Sequence, residues 1–376
     1  MNWTYKELKY NAETYTTFPC LTSDGKKLFL VYREASQNSS IRAKQGAPTH
    51  HDNDSRILFT ASHDLGVNWS EPKEIFKGKY GVNDPGITIL KDGRLIVRVS
   101  EIEVKPSDKR SQLEGRLLNH RSEFAEVSAV YGNSIIISHD FGQSWEAPQK
   151  MNLGQHQYAI SREPIVELVD GTLVLSLYES NPFKSEECYL VRSWDGGKSW
   201  QDSALLAKDP AVINSIYASH SYNEAAVVEM APNHLIALIR CDESYFTNDE
   251  QDYMPVGGVG EIRIGFSQNN GLSWSVPKKT GLFGQPVACL KIGSDTLIAV
   301  YAQRKKPYQI VYCLSYNQGK TWEKEKIIKA NGIHWDLGYP TVVVCGSQIV
   351  VSYYWQKPDG TRYIEVAQNS ISEILK

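Results

Sequence analysis

One octapeptide recurs five times along this chain, and no other feature restricts its fold so strongly. It reads Ser, any residue, Asp or Asn, any residue, Gly, two further residues, Trp. The copies are SHDLGVNW (62–69), SHDFGQSW (138–145), SWDGGKSW (193–200), SQNNGLSW (267–274) and SYNQGKTW (315–322). Each follows a β-rich run such as Ile57-Leu58-Phe59-Thr60, and each precedes a short segment that often carries an early proline, as at Pro72 and Pro148. The pattern is that of a tight hairpin turn. The Asp or Asn side chain bonds back to the turn backbone, Gly supplies a positive φ, and Trp packs beneath. These residues are structural turns, and their recurrence announces a repeat architecture.

A second repeat lies upstream of each turn. An X-Pro or X-Ala pair opens an apolar run, a turn such as Lys91-Asp92-Gly93 follows, and a second apolar run returns. The openings are Phe18-Pro19, Asp84-Pro85, Glu163-Pro164, Glu224-Ala225, Gln285-Pro286 and Tyr339-Pro340. The returning runs start at Leu28, Leu95, Leu173, Leu235, Leu297 and Ile349. Each unit therefore reads as strand A, strand B, a loop, strand C, the octapeptide turn and strand D, a four-stranded antiparallel blade. The sixth unit lacks an octapeptide; its strand C is expected at Tyr363 to Ala367, and the segment from Trp3 to Leu8 resembles the strand that follows Trp elsewhere. That segment is expected to supply strand D of the last blade and so remove a free edge. The expected fold is all-β, a six-bladed β-propeller formed as one domain over residues 1–376.

Composition narrows the partners. Lys and Arg number 40 against 43 Asp and Glu, so the chain lacks the basic excess that nucleic-acid binding requires. No stretch approaches 18 apolar residues, so no membrane span is expected. No apolar segment follows Met1, which points to the cytoplasm, although a glycan substrate would fit a secreted protein whose leader has been removed. The 9 Trp and 21 Tyr suit sugar-binding faces. The six cysteines, Cys20, Cys188, Cys241, Cys289, Cys313 and Cys345, match no zinc spacing and read as buried thiols.

The repeat register also locates a candidate site. Strand A starts and strand B ends at one rim of the propeller, while the octapeptide turns lie at the other. The residues before each strand-A Pro or Ala, namely Phe18, Asp84, Glu163, Glu224, Gln285 and Tyr339, should ring the mouth of the central channel. Three carboxylates, an amide and a phenol converge there, where a structural ring would be apolar. At the ends of strand B lie Arg33, Ser100, Tyr178, Arg240, Ala302 and Tyr354, with Arg304 on the same rim. Several arginines at one mouth imply an anionic ligand, which a guanidinium grips in bidentate fashion. The polar loop from Glu34 to Asp54 carries His51 and Asp54 as candidates, with His50 read as a solvated surface residue. The loop from Glu101 to Gly132 reads as a lid or an oligomer contact, and the oligomeric state is open.

The octapeptides resemble the Asp-box, or BNR, repeats of the sialidase (neuraminidase) superfamily, over essentially the whole chain. The resemblance implies a nucleophilic tyrosine at the start of a late strand, matched by Tyr339, and a glutamate partner, matched by Glu224. It implies Asp54 as general acid, and Arg240 and Arg304 as two of three arginines that grip an acidic sugar's carboxylate. Where the family places the first arginine, in a Phe-Arg-Ile-Pro motif, this chain has Thr17-Phe18-Pro19; Arg33 lies elsewhere, at the end of strand B. The implied activity is an exo-glycosidase releasing a terminal acidic sugar from an oligosaccharide or glycoconjugate, with no metal or organic cofactor. Two other readings stand beside it. A uronic acid lyase would use His51, Tyr339, Arg33 and Arg240, and a non-catalytic carbohydrate-binding propeller would use the same mouth.

Overall fold

The returning apolar runs have no polar face because both of their faces are buried. In the computed structural model, which describes residues 3–48, 50–118, 126–179, 186–209, 220–243 and 260–376, strand Leu28–Ala35 sends Leu28, Leu30 and Tyr32 into one core cluster and Phe29 and Val31 into the next. Successive side chains of a strand point to opposite faces, so one strand feeds two layers. Strand Thr296–Gln303 does the same, with Leu297 and Ala299 on one side and Ile298 and Val300 on the other.

Six sheets result, each with strands in the antiparallel order A–B–C–D. Blade 1 is Tyr15–Ser23, Leu28–Ala35, Arg56–Ser62 and Lys73–Phe76. Blade 2 is Gly81–Ile89, Leu95–Pro106, Glu126–Ser138 and Gln149–Lys150, with Arg116–Leu117 added beside its third strand. Blade 3 is Val166–Glu167, Leu173–Glu179, Glu187–Ser193 and Gln201–Ala207. Blade 4 is His220–Ala231, His234–Glu243, Glu261–Ser267 and Lys278–Phe283. Blade 5 is Val287–Ile292, Thr296–Gln303, Tyr308–Ser315 and Lys326–Gly332. Blade 6 is Gly338–Cys345, Gln348–Gln356, Arg362–Ser370 and, from the N-terminus, Thr4–Glu7. That last strand pairs antiparallel to Arg362–Ser370 with Thr4 opposite Gln368, which closes the ring as the sequence requires. The final interface packs Val350, Ile364 and Val366 of blade 6 on Leu21, Leu28 and Leu30 of blade 1. The chain is thus a six-bladed β-propeller whose core is a cycle of inter-blade layers.

The octapeptides form the turns expected of them. In the first, Ser62 Oγ donates to Asp64 Oδ1 at 2.8 Å and accepts from the Gly66 amide at 2.8 Å, while Trp69 Nε1 donates to the Gly66 carbonyl at 3.1 Å. The glycine has a second reason beyond its positive φ. A Cβ on Gly142 would lie 2.3 Å from Phe59 Cζ of the preceding blade, and one on Gly271 would lie 2.4 Å from Leu190 Cδ2. These two turns therefore dock on the neighbouring blade where only glycine fits.

Two loop expectations need correction. The stretch from Glu101 to Gly132 is not wholly loop: its flanks continue strands B and C of blade 2 as far as Pro106 and back to Glu126. Buried pairing drives this, since Glu101 accepts from Ser134 Oγ and Lys150 Nζ, both at 2.7 Å. The Glu34–Asp54 stretch carries a helix, Gln37–Lys44, capped by Ser36. All six cysteines are free thiols. Among the described residues, no helix is long and apolar enough to cross a membrane.

Candidate active site

The site is built on a repeated distortion of strand A. Phe18, Asp84, Glu224 and Tyr339 all adopt left-handed backbone conformations, with φ of 53°, 45°, 41° and 49°. At each, the pairing of strand A with strand B slips by a residue. Such a bulge redirects a side chain out of the ladder's alternation. A non-glycine residue held there costs on the order of 1–3 kcal/mol, strain that concentrates at functional sites. Blades on opposite sides meet at these positions: Arg162 of the segment before blade 3 donates to the Pro340 carbonyl in blade 6 and to the Val287 carbonyl in blade 5.

At the centre, Tyr339 Oη donates to Glu224 Oε1 at 2.8 Å, and Arg240 Nη1 donates to Glu224 Oε2 at 2.7 Å. Arg240 is shared with Asp242 through Nε at 3.2 Å and Nη2 at 3.1 Å. All three central groups are buried. Burial favours the neutral form of Glu224, but Arg240 and Arg162 outweigh it and hold the carboxyl below its usual range. Burial, then the charges of Glu224 and Asp84, push the Tyr339 phenol well up, against Arg240 and Arg304. The pair is thus a protonated phenol hydrogen-bonded to a carboxylate, the arrangement in which the carboxylate can take the proton as the phenol oxygen bonds to carbon.

Other expected residues fall around this pair. Arg304 lies 5.2 Å from the Tyr339 ring centroid and donates Nε to the Leu337 carbonyl at 3.1 Å, leaving buried Nη1 without a partner among the described residues. Arg33 is fully buried; its Nε donates to the Val82 carbonyl at 2.9 Å, and both Nη atoms lack partners among the described residues. Its register partner is Thr17, so the two side chains share one side of blade 1. A guanidinium is present beside Thr17 after all, delivered from strand B. Asp84 is buried, with Oδ1 unpartnered among the described residues and Oδ2 accepting from Asn83 Nδ2 at 3.0 Å; burial and Glu224 push its carboxyl up to about 7. Glu163 pairs with Arg162 at 2.5 Å, and Gln285 is buried with both amide atoms unpartnered among the described residues.

Two candidates from the Glu34–Asp54 stretch lie elsewhere. Asp54 is an exposed side chain, 72% accessible, that pairs with Lys77 at 3.0 Å. The helix and its cap explain this: Ser36 and Ser39 hold Asp52, whose Oδ1 accepts from the Asp54 amide at 2.8 Å and fixes a turn that aims Asp54 outward. His51 Nδ1 meets Ser128 Oγ at 3.0 Å on blade 2. The residue that does reach the mouth is His50, read from the sequence as a solvated surface residue. Its ring lies 5.1 Å from Phe18 and 6.4 Å from Tyr339, both edge-on, and its Nε2 is 3.3 Å from Asp336 Oδ1. The local sequence gave no signal for this, because the contact is with Asp336, 286 residues away.

Sequence reasoning also missed Arg162, Trp335, Asp336 and Tyr15 as site groups, and placed Tyr354 on the rim without giving it a role. Arg162 was within reach of the register argument, one residue before the ring position Glu163, and its guanidinium lies 5.5 Å from the Tyr339 ring. Asp336 is fully buried and accepts from Tyr15 Oη at 2.8 Å, Tyr354 Oη at 2.7 Å and Arg362 Nε at 3.0 Å. Burial opposes its charge, but Arg362, His50 and Tyr354 hold the carboxyl well below the usual carboxylate range. Phe18, Tyr354 and Trp335 complete an aromatic wall beside Tyr339 and His50. Such a mouth, with cationic donors, an aromatic face and a base-paired phenol, suits an anionic ring with an electrophilic carbon. No group of three or more His, Cys, Asp or Glu placed to hold a metal ion occurs among the described residues.

Comparison with known proteins agrees with this architecture. The family model described as BNR repeat-like domain matches residues 117–351. No curated protein matches the chain. Among solved structures, a Dyadobacter fermentans protein of unknown function is similar at 21% identity, TM-score 0.80, over 97% of both chains. A Hadza microbial sialidase is similar at 15% identity and TM-score 0.65, over 96% of this chain and 66% of that one. The NanB sialidase from Streptococcus pneumoniae, as its K499G mutant, is similar at 14% identity and TM-score 0.63, over 96% and 69%. At these identities the likeness shows the shared fold.

Proposed function

The chain belongs to the BNR repeat-like domain family, and we propose that it is a sialidase-superfamily exo-glycosidase that releases a terminal acidic sugar from an oligosaccharide or glycoconjugate. The observation that carries this reading is the hydrogen-bonded line Tyr339–Glu224–Arg240 at the channel mouth, with bonds of 2.8 and 2.7 Å. Tyr339 attacks the anomeric carbon while Glu224 takes its proton. A neutral phenol suits an anionic sugar, which a carboxylate nucleophile would repel. Arg304 and Arg33, each with buried N–H groups left unpartnered, supply donors for the sugar carboxylate. Support also comes from structural neighbours that are themselves named sialidases.

The test is hydrolysis of 4-methylumbelliferyl sialoside by the wild type and Tyr339→Phe. Release by the wild type, lost in Tyr339→Phe, is the expected result. Equal release by both would remove Tyr339 from the mechanism. The edge-on imidazole of His50 beside the phenol favours a second reading, elimination from a uronic acid; absorbance of an unsaturated product in the near ultraviolet would identify it.

A further inference from the structure

The reaction proposed above needs a proton on the departing oxygen, and the structure leaves that role unfilled by Asp54. We propose that His50, oriented by Asp336, is the acid and base of this site; the inference rests on the glycosidase reading and names the group that reading lacks. Of the described residues in the His50–Asp54 segment, Asp52 is engaged by Ser36 and Ser39, His51 meets Ser128, and Asp54 meets Lys77. His50 is the member whose ring packs against Phe18, Tyr339 and Trp335. Its side chain keeps 14% exposure.

Asp336 cannot itself give a proton. Arg362, Tyr15 and Tyr354 saturate it with donors and keep it ionised. An ionised carboxylate 3.3 Å from Nε2 fixes that nitrogen as the protonated one in neutral imidazole. Nδ1 is then the atom that gains and loses a proton during the reaction. This is the logic by which a buried carboxylate sets the tautomer of a catalytic histidine.

The charged groups facing His50 come from three elements. Asp336 precedes strand A of blade 6, Arg304 follows strand B of blade 5, and Arg33 lies in strand B of blade 1. Burial lowers the imidazole's proton affinity, Asp336 raises it, and the two arginines lower it again, for a net decrease. A bound sugar carboxylate neutralises those arginines, so the ligand itself charges the imidazole. In the first step the bond from Tyr339 Oη to the anomeric carbon forms and the bond to the leaving oxygen breaks. The phenol proton passes to Glu224, and the Nδ1 proton passes to the leaving oxygen. In the second step water attacks the same carbon and gives its proton to Nδ1, while the tyrosine oxygen departs and recovers its proton from Glu224.

The experiment compares wild type, His50→Ala and Asp54→Ala on two substrates, 3′-sialyllactose and 4-methylumbelliferyl sialoside. An alkoxide leaving group needs protonation and an aryl oxide needs little. His50→Ala is expected to lose roughly 10²–10⁴-fold on the lactoside and far less in the first step on the aryl glycoside, with added azide restoring turnover as glycosyl azide. Asp54→Ala is expected to match the wild type on both. Equal losses by His50→Ala on both substrates, or the leaving-group-dependent loss appearing in Asp54→Ala, would overturn the assignment. A wild type inactive on both substrates would sink the glycosidase reading instead. His50 is judged separately by long-range proton–nitrogen correlation on the ¹⁵N-histidine-labelled chain, with His50→Gln assigning the signal. A neutral ring protonated at Nε2 and titrating at Nδ1 supports the proposal; protonation at Nδ1, or no titration before unfolding, refutes it.

Discussion

Tyr339 and Glu224 should behave as a single unit, and a double-mutant cycle measures whether they do. Tyr339→Phe removes the 2.8 Å bond to Glu224 and keeps the ring that packs on Phe18 at 4.5 Å. Glu224→Gln removes the charge and weakens the 2.7 Å bond from Arg240, which retains Asp242 at 3.1 Å. A hydrogen bond to a charged group contributes about 1.5–3 kcal/mol, and stranding a buried charge outright costs about 3–5 kcal/mol. Because Asp242 still neutralises Arg240, the cost of Glu224→Gln belongs near the lower figure. The shared bond is lost in Tyr339→Phe and reduced from a charge-assisted to a neutral one in Glu224→Gln, so the double variant is expected to be more stable than the sum of the two by about 1–2 kcal/mol. Urea unfolding of the four proteins, with a common slope, gives the coupling.

Activity should show the same non-additivity more strongly. Each single variant is expected to lose about 10²–10⁴ in kcat/KM on the fluorogenic sialoside, which is about 3–5.5 kcal/mol of transition-state stabilisation. The double variant should lose no more than the worse single one, because a base without its nucleophile does nothing. Losses that multiply, together with stabilities additive to within about 0.5 kcal/mol, would refute the pairing and reduce the 2.8 Å contact to a structural bond.

The octapeptide glycines give a test of blade docking. Gly142→Ala places a methyl 2.3 Å from Phe59 Cζ at φ +85°, whereas Gly93→Ala at φ +89° meets nothing within 4 Å. Both carry about 1–2 kcal/mol of left-handed strain, and only the first adds overpacking of about 1–3 kcal/mol; equal losses of stability on unfolding would dismiss the docking argument. Asp84 titrates near 7 in the folded chain against a normal 3.8, so its contribution is fully present below pH 3.8 and is lost as pH rises through 7. Asp84→Asn should therefore change stability little at pH 4 and raise it at pH 8, by at most about 4 kcal/mol at 1.36 kcal/mol per unit; a variant less stable at pH 8 than wild type would contradict the buried, unpaired carboxyl. Arg33→Met removes a buried cation with two unpartnered nitrogens, so it should unfold no earlier than wild type while raising KM for the sialoside about 10–150-fold. Earlier unfolding with KM unchanged would make Arg33 structural.

The blades were readable because each strand B must feed two layers. That demand leaves a continuous apolar run such as Leu28 to Tyr32, flanked by turns that recur in register. The ring at the mouth was readable for the same reason, since the residue before each strand-A proline occupies an equivalent place in every blade. His50, Asp336 and Arg162 were hidden because their partners come from other blades, and no local spacing encodes a contact between residues 50 and 336. Asp54 was misplaced by a rule that held for strands but not for the loop. A helix from Gln37 to Lys44, capped by Ser36 and tied to Asp52, turns Asp54 toward Lys77 instead. Loop geometry depends on a few capping bonds, whereas blade geometry is enforced on every face.

The propeller uses left-handed backbone at both of its rims, with opposite demands on the side chain. At the octapeptide rim, Gly66, Gly142, Gly271 and Gly319 take positive φ and have no room for a Cβ, because the neighbouring blade occupies it. At the mouth, Phe18, Asp84, Glu224 and Tyr339 take the same kind of backbone with large side chains and bear the strain. Glycine would relieve that strain, yet it would remove the aromatic wall, the raised carboxyl and the phenol–carboxylate pair together. Four such residues carry a combined cost on the order of several kcal/mol, comparable to the whole net stability of many domains. A fold can hold them only if other contacts over-determine their backbone. The inter-blade layers anchor the chain around the bulges: Leu337 and Val342, on either side of Tyr339, lie in one core cluster, and Leu21, just past Phe18, lies in the next. Repetition at the outer layers is thus what permits divergence at the mouth, where four of the six blades each contribute one strained residue of a different chemistry to a common centre.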